Sequence, residues 1–221
     1  MKWLIVNGDD FGASAGINRG ILEAHRNGIL TSTSVLVHRA ASSEVKAVTR
    51  SCPELSLGLH LELDPAEPAR IPQQLDDQME RFVDLVGAPP THVDSHHNVH
   101  YDHRIVPQVR AWADQQELPL RGFSRARLLS RFYGRWGGRS HPEQINGTNL
   151  LALVDADVGE GIIELCCHPG YVEPEFETSY AVEREIEVGT LCSAAVRQGL
   201  VEREIHLIGF RDMPAEAASA S

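Results

Sequence analysis

Short runs rich in Val, Ile and Leu alternate along this chain with stretches of helical period, and that alternation constrains the fold more than any other feature. The runs Lys2–Asn7, Ser32–His38, Ser56–Leu63, His92–His96, Leu118–Phe123, Gly161–Cys167 and Ile205–Phe210 predict strands. The segments Ser14–Asn27, Ser42–Ser51, Leu75–Val86, Ile105–Gln116 and Ser179–Gln198 predict helices between them. In the first, Ile17, Ile21 and Leu22 share a face and Gly28 supplies a stop. Strands separated by helices run parallel, because each crossover returns the chain to the same end of the sheet. Six to seven such units suit a distorted or incomplete (β/α) barrel better than an open doubly wound sheet. The open sheet stays an alternative, but no glycine-rich phosphate loop follows the first strand, where Asn7–Gly12 is acidic and would repel phosphate.

A chain of 221 residues supports one full core. We expect a single barrel domain over residues 1–212 and a disordered Ala- and Ser-rich tail over 213–221. The formal charge of −11 argues against broad binding to nucleic acid or anionic membrane. No apolar run is long enough to cross a bilayer. Met1–Val6 runs directly into polar Asn7, too soon for a signal peptide, and a cytoplasmic location is expected. Of the four cysteines, Cys166 and Cys167 are adjacent within an apolar run. They read as small buried hydrophobes, not as a zinc knuckle or disulfide framework.

The chemistry-bearing residues fall at one end of the predicted strands. Asp9 and Asp10 follow the first strand, His60 lies near the end of the third, His96 ends the fourth and His168 follows the sixth. That is the carboxyl end, where β/α barrels build their sites. Each residue alone has a plainer reading. Asp9-Asp10 suits a turn capping the next helix, and His60 suits a hydrogen-bonded core position with space beside it from Gly58. His168-Pro169-Gly170 suits a turn, and Arg121, ending the fifth strand, suits an exposed side chain or a partner for a carboxylate. Four of the 11 histidines lie within His92–His100. On a strand His92, Asp94 and His96 share one face, so at most one or two of the run can be metal ligands. One carboxylate with two imidazoles from three strands makes a common divalent-metal site with positions left open. Arg125–Arg139 interleaves five arginines with Phe132, Tyr133 and Trp136. In an acidic chain that pattern favours stacking on sugar rings, or subunit contact in a homodimer, over nucleic acid.

Taken in order, Leu4–Gly12, Asn27–Ser34, Gly58–Leu61, Thr91–His97, Phe132–Gly134 and Cys167–Tyr171 resemble the YdjC-like carbohydrate deacetylases, the family that includes chitooligosaccharide deacetylases. The resemblance implies a distorted β/α barrel and a metal triad of Asp10, His60 and His96. It implies Asp9 as catalytic base, His168 as general acid and Arg121 as the residue orienting the base. The implied reaction removes the N-acetyl group of an amino sugar, in a mono- or oligosaccharide or a glycosylated metabolite, and releases acetate. The cofactor would be one divalent cation, Mg²⁺ or Zn²⁺, with Mn²⁺ and Co²⁺ also admitted by O/N ligation. Phe132, Tyr133, Trp136 and His97 are the expected substrate contacts. The chain departs from the pattern at Asn98, where a third consecutive His is frequent, and in the short stretch Glu62–Gln74. Both bear on which sugar binds, not on the reaction type. Two rivals stand beside this reading: another metal-dependent hydrolase on the same scaffold, such as a phosphoesterase, and a non-catalytic sugar-binding protein.

Overall fold

The sheet is organised about its longest strand, β1 (Lys2–Phe11), which is buried along nearly its whole length. The computed structural model describes residues 1–157, 159–174 and 176–214; most of the expected tail, 215–221, lies outside the described residues. The further strands are β2 (Ser32–Val35), β3 (Ser56–Leu61), β4 (Val93–Ser95), β5 (Ala126–Leu129), β6 (Arg135–Trp136), β7 (Arg139–Ser140), β8 (Gly161–Cys167) and β9 (Ile205–Leu207). The main sheet runs β4-β3-β2-β1-β8-β5, with β9 paired to the start of β1. Every pairing in it is parallel. Among the described residues no pairing joins β4 to β5, so the sheet curls as an open half-barrel. Parallel strands need cover on both faces. The cover comes from α1 (Ala15–Asn27), α2 (Val45–Ser51), α3 (Ile71–Val86), α4 (Val106–Gln115), α5 (Gly147–Asp157), α6 (Val182–Leu191) and α7 (Ala194–Glu202). In α3, Ile71, Leu75, Gln78, Phe82 and Leu85 form the buried stripe, and Gly87 closes the helix with a left-handed φ of 82°. No described helix is long and apolar enough to cross a membrane.

Several expectations change. The first strand continues through Asp9 and Asp10 to Phe11, so the two carboxylates lie in the strand. The predicted fifth strand, Leu118–Phe123, contracts to one parallel bridge between Val93 and Leu120. Pro119 has no N–H to give a ladder there. The strand beside β8 is β5, inside the arginine-rich segment. The predicted helix Ser179–Gln198 is two helices, because the Ser193 side chain accepts from Val196 N and caps a new helix, α7. Helix α5 was not anticipated, and His96 opens a 3₁₀ turn, His96–Tyr101, after the strand end.

Helix α1 begins at Ser14, whose Oγ accepts from Ile17 N at 3.2 Å. It then packs directly on the segment after β8. A Cβ on Gly20 would stand 2.5 Å from Gly170 Cα, a collision with backbone. On an open helix Gly→Ala stabilises by about 1 kcal/mol. Here the clash decides the sign, and Gly20→Ala is expected to cost about 1–3 kcal/mol, read as a lower urea midpoint at unchanged slope.

Candidate active site

Adjacent strand residues normally face opposite ways, yet Asp9 and Asp10 both line one cleft. The β1–β2 register slips between Gly8 and Phe11, and Asp10 adopts a φ of 74°. This bulge turns the second carboxylate toward the side of the first. Such a backbone costs on the order of 1–3 kcal/mol at a non-glycine residue, and Asp is among the more tolerant types.

Arg121 holds the first carboxylate. Its side chain is 1 % exposed, not on the surface. Nη1 and Nη2 donate to Asp9 Oδ2 and Oδ1, each at 2.7 Å. Nη2 also lies 2.7 Å from Asp94 Oδ2, and Nε donates to Glu164 Oε1 at 2.7 Å. Burial favours the neutral acid at Asp9, but Arg121 outweighs it and holds the carboxyl well below the usual range. Asn7 Nδ2 adds a bond to Asp9 Oδ1 at 2.9 Å, and Asn7 Oδ1 accepts from His92 Nε2 at 2.9 Å. Burial pushes His92 down to about 3, so its ring is neutral. Gly58 makes room for His92 and not for His60: a Cβ on Gly58 would lie 2.3 Å from the His92 ring.

Asp10, His60 and His96 offer one oxygen and two nitrogens, all within 4.8 Å of one another. Asp10 Oδ1 is 3.2 Å from His60 Nε2 and 3.1 Å from His96 Nδ1. His60 Nδ1 lies 2.6 Å from Asp94 Oδ1. That leaves Nε2 pointing at Asp10, the carboxylate-backed arrangement usual for metal-ligating histidines. Burial pushes the His60 imidazolium down, but Asp94 and Asp10 raise it to about 10. A position that favours positive charge this strongly, with an O/N/N donor set, fits a divalent cation. Asp10 Oδ2 is held by Arg184, whose Nη1 donates to the His168 carbonyl at 3.2 Å.

His168 stands across the cleft, with Nε2 3.8 Å from Asp9 Oδ2. Burial lowers its pKa against the opposing pull of Asp9 and Asp10. The cleft measures about 650 Å³ and is lined by Phe132, Tyr133, His97 and Asn98 besides the carboxylates and imidazoles. Tyr133 stacks on Tyr180 at 4.8 Å and meets the His168 ring edge-on at 6.0 Å. Trp136 does not line the cleft: it lies in the β6–β7 hairpin, stacked on His141 at 3.7 Å. The structure therefore gathers nine of the ten sequence-nominated residues in or directly behind the cleft, Arg121 from behind Asp9, and leaves Trp136 outside.

Several participants had not been assigned roles. Asp94 backs both His60 and Arg121, and Glu164 is the third carboxylate on Arg121. Glu164 had a visible signal, as the one charge inside Gly161–Cys167. Arg184, in the first turn of α6, had none. Burial raises Glu164 to about 7, with Arg121 opposing, and its Oε2 has no hydrogen-bond partner among the described residues. A folded-state value of about 7, above the ordinary 4.5, gives a contribution present in full below pH 4.5 and lost as pH rises through about 7. Glu164→Gln keeps the acceptor for Arg121 but cannot titrate. Relative to wild type, the variant should gain stability between those two pH values, seen as diverging urea midpoints.

The YdjC-like protein family model matches residues 3–76 and 63–202. A chitooligosaccharide deacetylase from Klebsiella pneumoniae (strain 342) is 35 % identical, covering 95 % of this chain and 98 % of its own. A candidate cellobiose-phosphate cleavage protein from Enterococcus faecalis V583 has a crystal structure matching with TM-score 0.83 at 27 % identity, over 95 % of this chain and 97 % of that one. A peptidoglycan deacetylase from Bacillus subtilis shares the fold at TM-score 0.53 and 15 % identity, over 94 % and 87 % of the two chains. By the extent of the family match and the identity to its relatives, the chain belongs to the YdjC-like protein family.

Proposed function

We propose that this protein is a metal-dependent carbohydrate N-deacetylase, hydrolysing the acetamide of an N-acetylated amino sugar to acetate and a free amine. The observation that carries the reading is the pairing of a carboxylate kept ionised by a bidentate arginine, Asp9, with the O/N/N donor set of the adjacent residue, Asp10. The names of the curated relatives support a chitooligosaccharide-like substrate.

Asp10, His60 and His96 would hold the cation, which supplies Lewis acidity toward an acyl oxygen and acidifies a water. Asp9 accepts the proton of the attacking water, and Arg121 keeps both its oxygens oriented and ionised. His168 delivers a proton to the departing amine. Because burial favours its neutral ring, that proton arrives during turnover, and Asp9 Oδ2 at 3.8 Å is a carboxylate close enough to pass it. Tyr133, stacked on Tyr180, gives the cleft wall an aromatic face for a sugar ring.

Acetate release should be measured over N-acetylated mono- and oligosaccharides with Mg²⁺, Zn²⁺, Mn²⁺ and Co²⁺. Asp9→Asn and His168→Ala are each expected to lower kcat by about 10²–10⁴-fold with bound Mg²⁺ unchanged by elemental analysis. His96→Ala should lose the metal as well. Wild-type turnover in Asp9→Asn removes it from the base role, and phosphate release in place of acetate replaces the reading with a phosphoesterase. Substrate contact separates the aromatics: Tyr133→Ala should raise KM several-fold, whereas Trp136→Ala should leave KM unchanged because its ring lies off the cleft.

A further inference from the structure

A second set of metal-type donors lies beside the first. Asp9 Oδ2, Cys166 Sγ and His168 Nε2 all fall within 4.8 Å of one another. Sγ is 3.4 Å from Oδ2, and Nε2 is 3.8 Å from it. The two adjacent cysteines, alike in sequence, differ in place. Cys167 packs in the main core and donates to the Asn7 carbonyl at 3.1 Å. Cys166 borders the cleft. Both are buried and free, as expected of small hydrophobes, but Cys166 alone also faces the cleft.

Lone pairs admit a cation at this point. Asp9 Oδ2 takes one bond from Arg121 Nη1, and on the side of Cys166 and His168 it accepts from the Cys166 thiol, whose proton a cation there would replace. The His168 ring is not tied down through its other nitrogen, since Nδ1 has no partner among the described residues. The donor type separates the two sites. The Asp10 set is O/N/N, whereas this one adds sulfur, and thiolates favour Zn²⁺ or Cd²⁺ over Mg²⁺ and Mn²⁺.

We propose that Asp9, Cys166 and His168 form a second, thiophilic metal site that takes Zn²⁺ or Cd²⁺, and that its occupation shuts the enzyme down. Binding replaces the Cys166 thiol proton, which passes to solvent as the S–metal bond forms, so occupancy strengthens as pH rises. The same ion ties up the carboxylate and the imidazole that move protons in the deacetylase reading. The inhibition rests on that reading; the binding does not.

The test is a Cd²⁺ titration of chelator-stripped protein, following the ultraviolet thiolate-to-cadmium charge-transfer band and the bound metal after dialysis. Wild type should develop the band and take up a second equivalent. Cys166→Ala should show no band and one equivalent fewer. Cys166→Ser, which keeps the side-chain shape, guards against a folding defect and should behave likewise. Cys192→Ser should match wild type. No band in wild type, or an undiminished band in both Cys166 variants, overturns the site. In a parallel arm, Zn²⁺ is added in excess to Mg²⁺-loaded protein. Acetate release should be lost in wild type, while Cys166→Ala retains its own zinc-free rate. Equal loss in both overturns the inhibitory role. Absence of acetate release throughout counts against the deacetylase reading and leaves the cadmium result to decide the site.

Discussion

One buried guanidinium holds the centre of this molecule. Arg121 reaches Asp9 on β1, Asp94 on β4 and Glu164 on β8, so its side chain ties three strands that are not sequence neighbours. Its backbone is held too: the N–H donates to the Val93 carbonyl at 3.0 Å, and the carbonyl accepts from Tyr101 Oη at 3.4 Å. Removing one partner of a buried ion pair costs about 3–5 kcal/mol, because the stranded charges have no water to return to. Here a single deletion would strand three carboxylates, two of them ionised. The residue that orients the proposed base is thus also a structural rivet, and the two roles share the same bonds.

The second constraint is the bulge at the end of β1. A regular strand would send Asp9 and Asp10 to opposite faces, one into the cleft and one into the helical layer. The register slip and the left-handed backbone at Asp10 bring both to one side. The strained residue is over-determined by what its carboxylate meets: His60, His96 and Arg184 all converge on it. Arg184 then bonds the His168 carbonyl, so the proposed ligand and the proposed acid are joined across the cleft by one side chain.

The parallel organisation was legible because hydrophobic period and turn residues are local properties. So was the placement of Asp9, Asp10, His60, His96 and His168 at the carboxyl ends of strands, since the ends of apolar runs are visible in sequence. What local pattern misjudged was long-range. Leu118–Phe123 reads as a strand by composition, but Pro119 and the demands of Arg121 make it a connecting segment with one bridge. Gly58 shares a strand face with His60 and suggested space beside it; the space is filled by His92, just before β4. Trp136 lies three residues from Tyr133, yet the two-glycine hairpin takes it to a stack on His141.

The sequence by itself determined the class of fold, the family pattern and the chemical types available at the mouth of the sheet, because each is encoded in residue identity and short-range spacing. Only the tertiary structure decided which of those groups are charged, and which work together. Arg121 and Asp9 are 112 residues apart, and no local rule distinguishes an exposed arginine from one enclosed by three carboxylates. Cys166 and Cys167 are neighbours with the same side chain; strand alternation turns them to opposite faces, and only the packing puts Cys167 in the core and Cys166 on the cleft. Ionisation and metal affinity depend on burial and on what lies within a few ångströms, and those are properties of the packed chain.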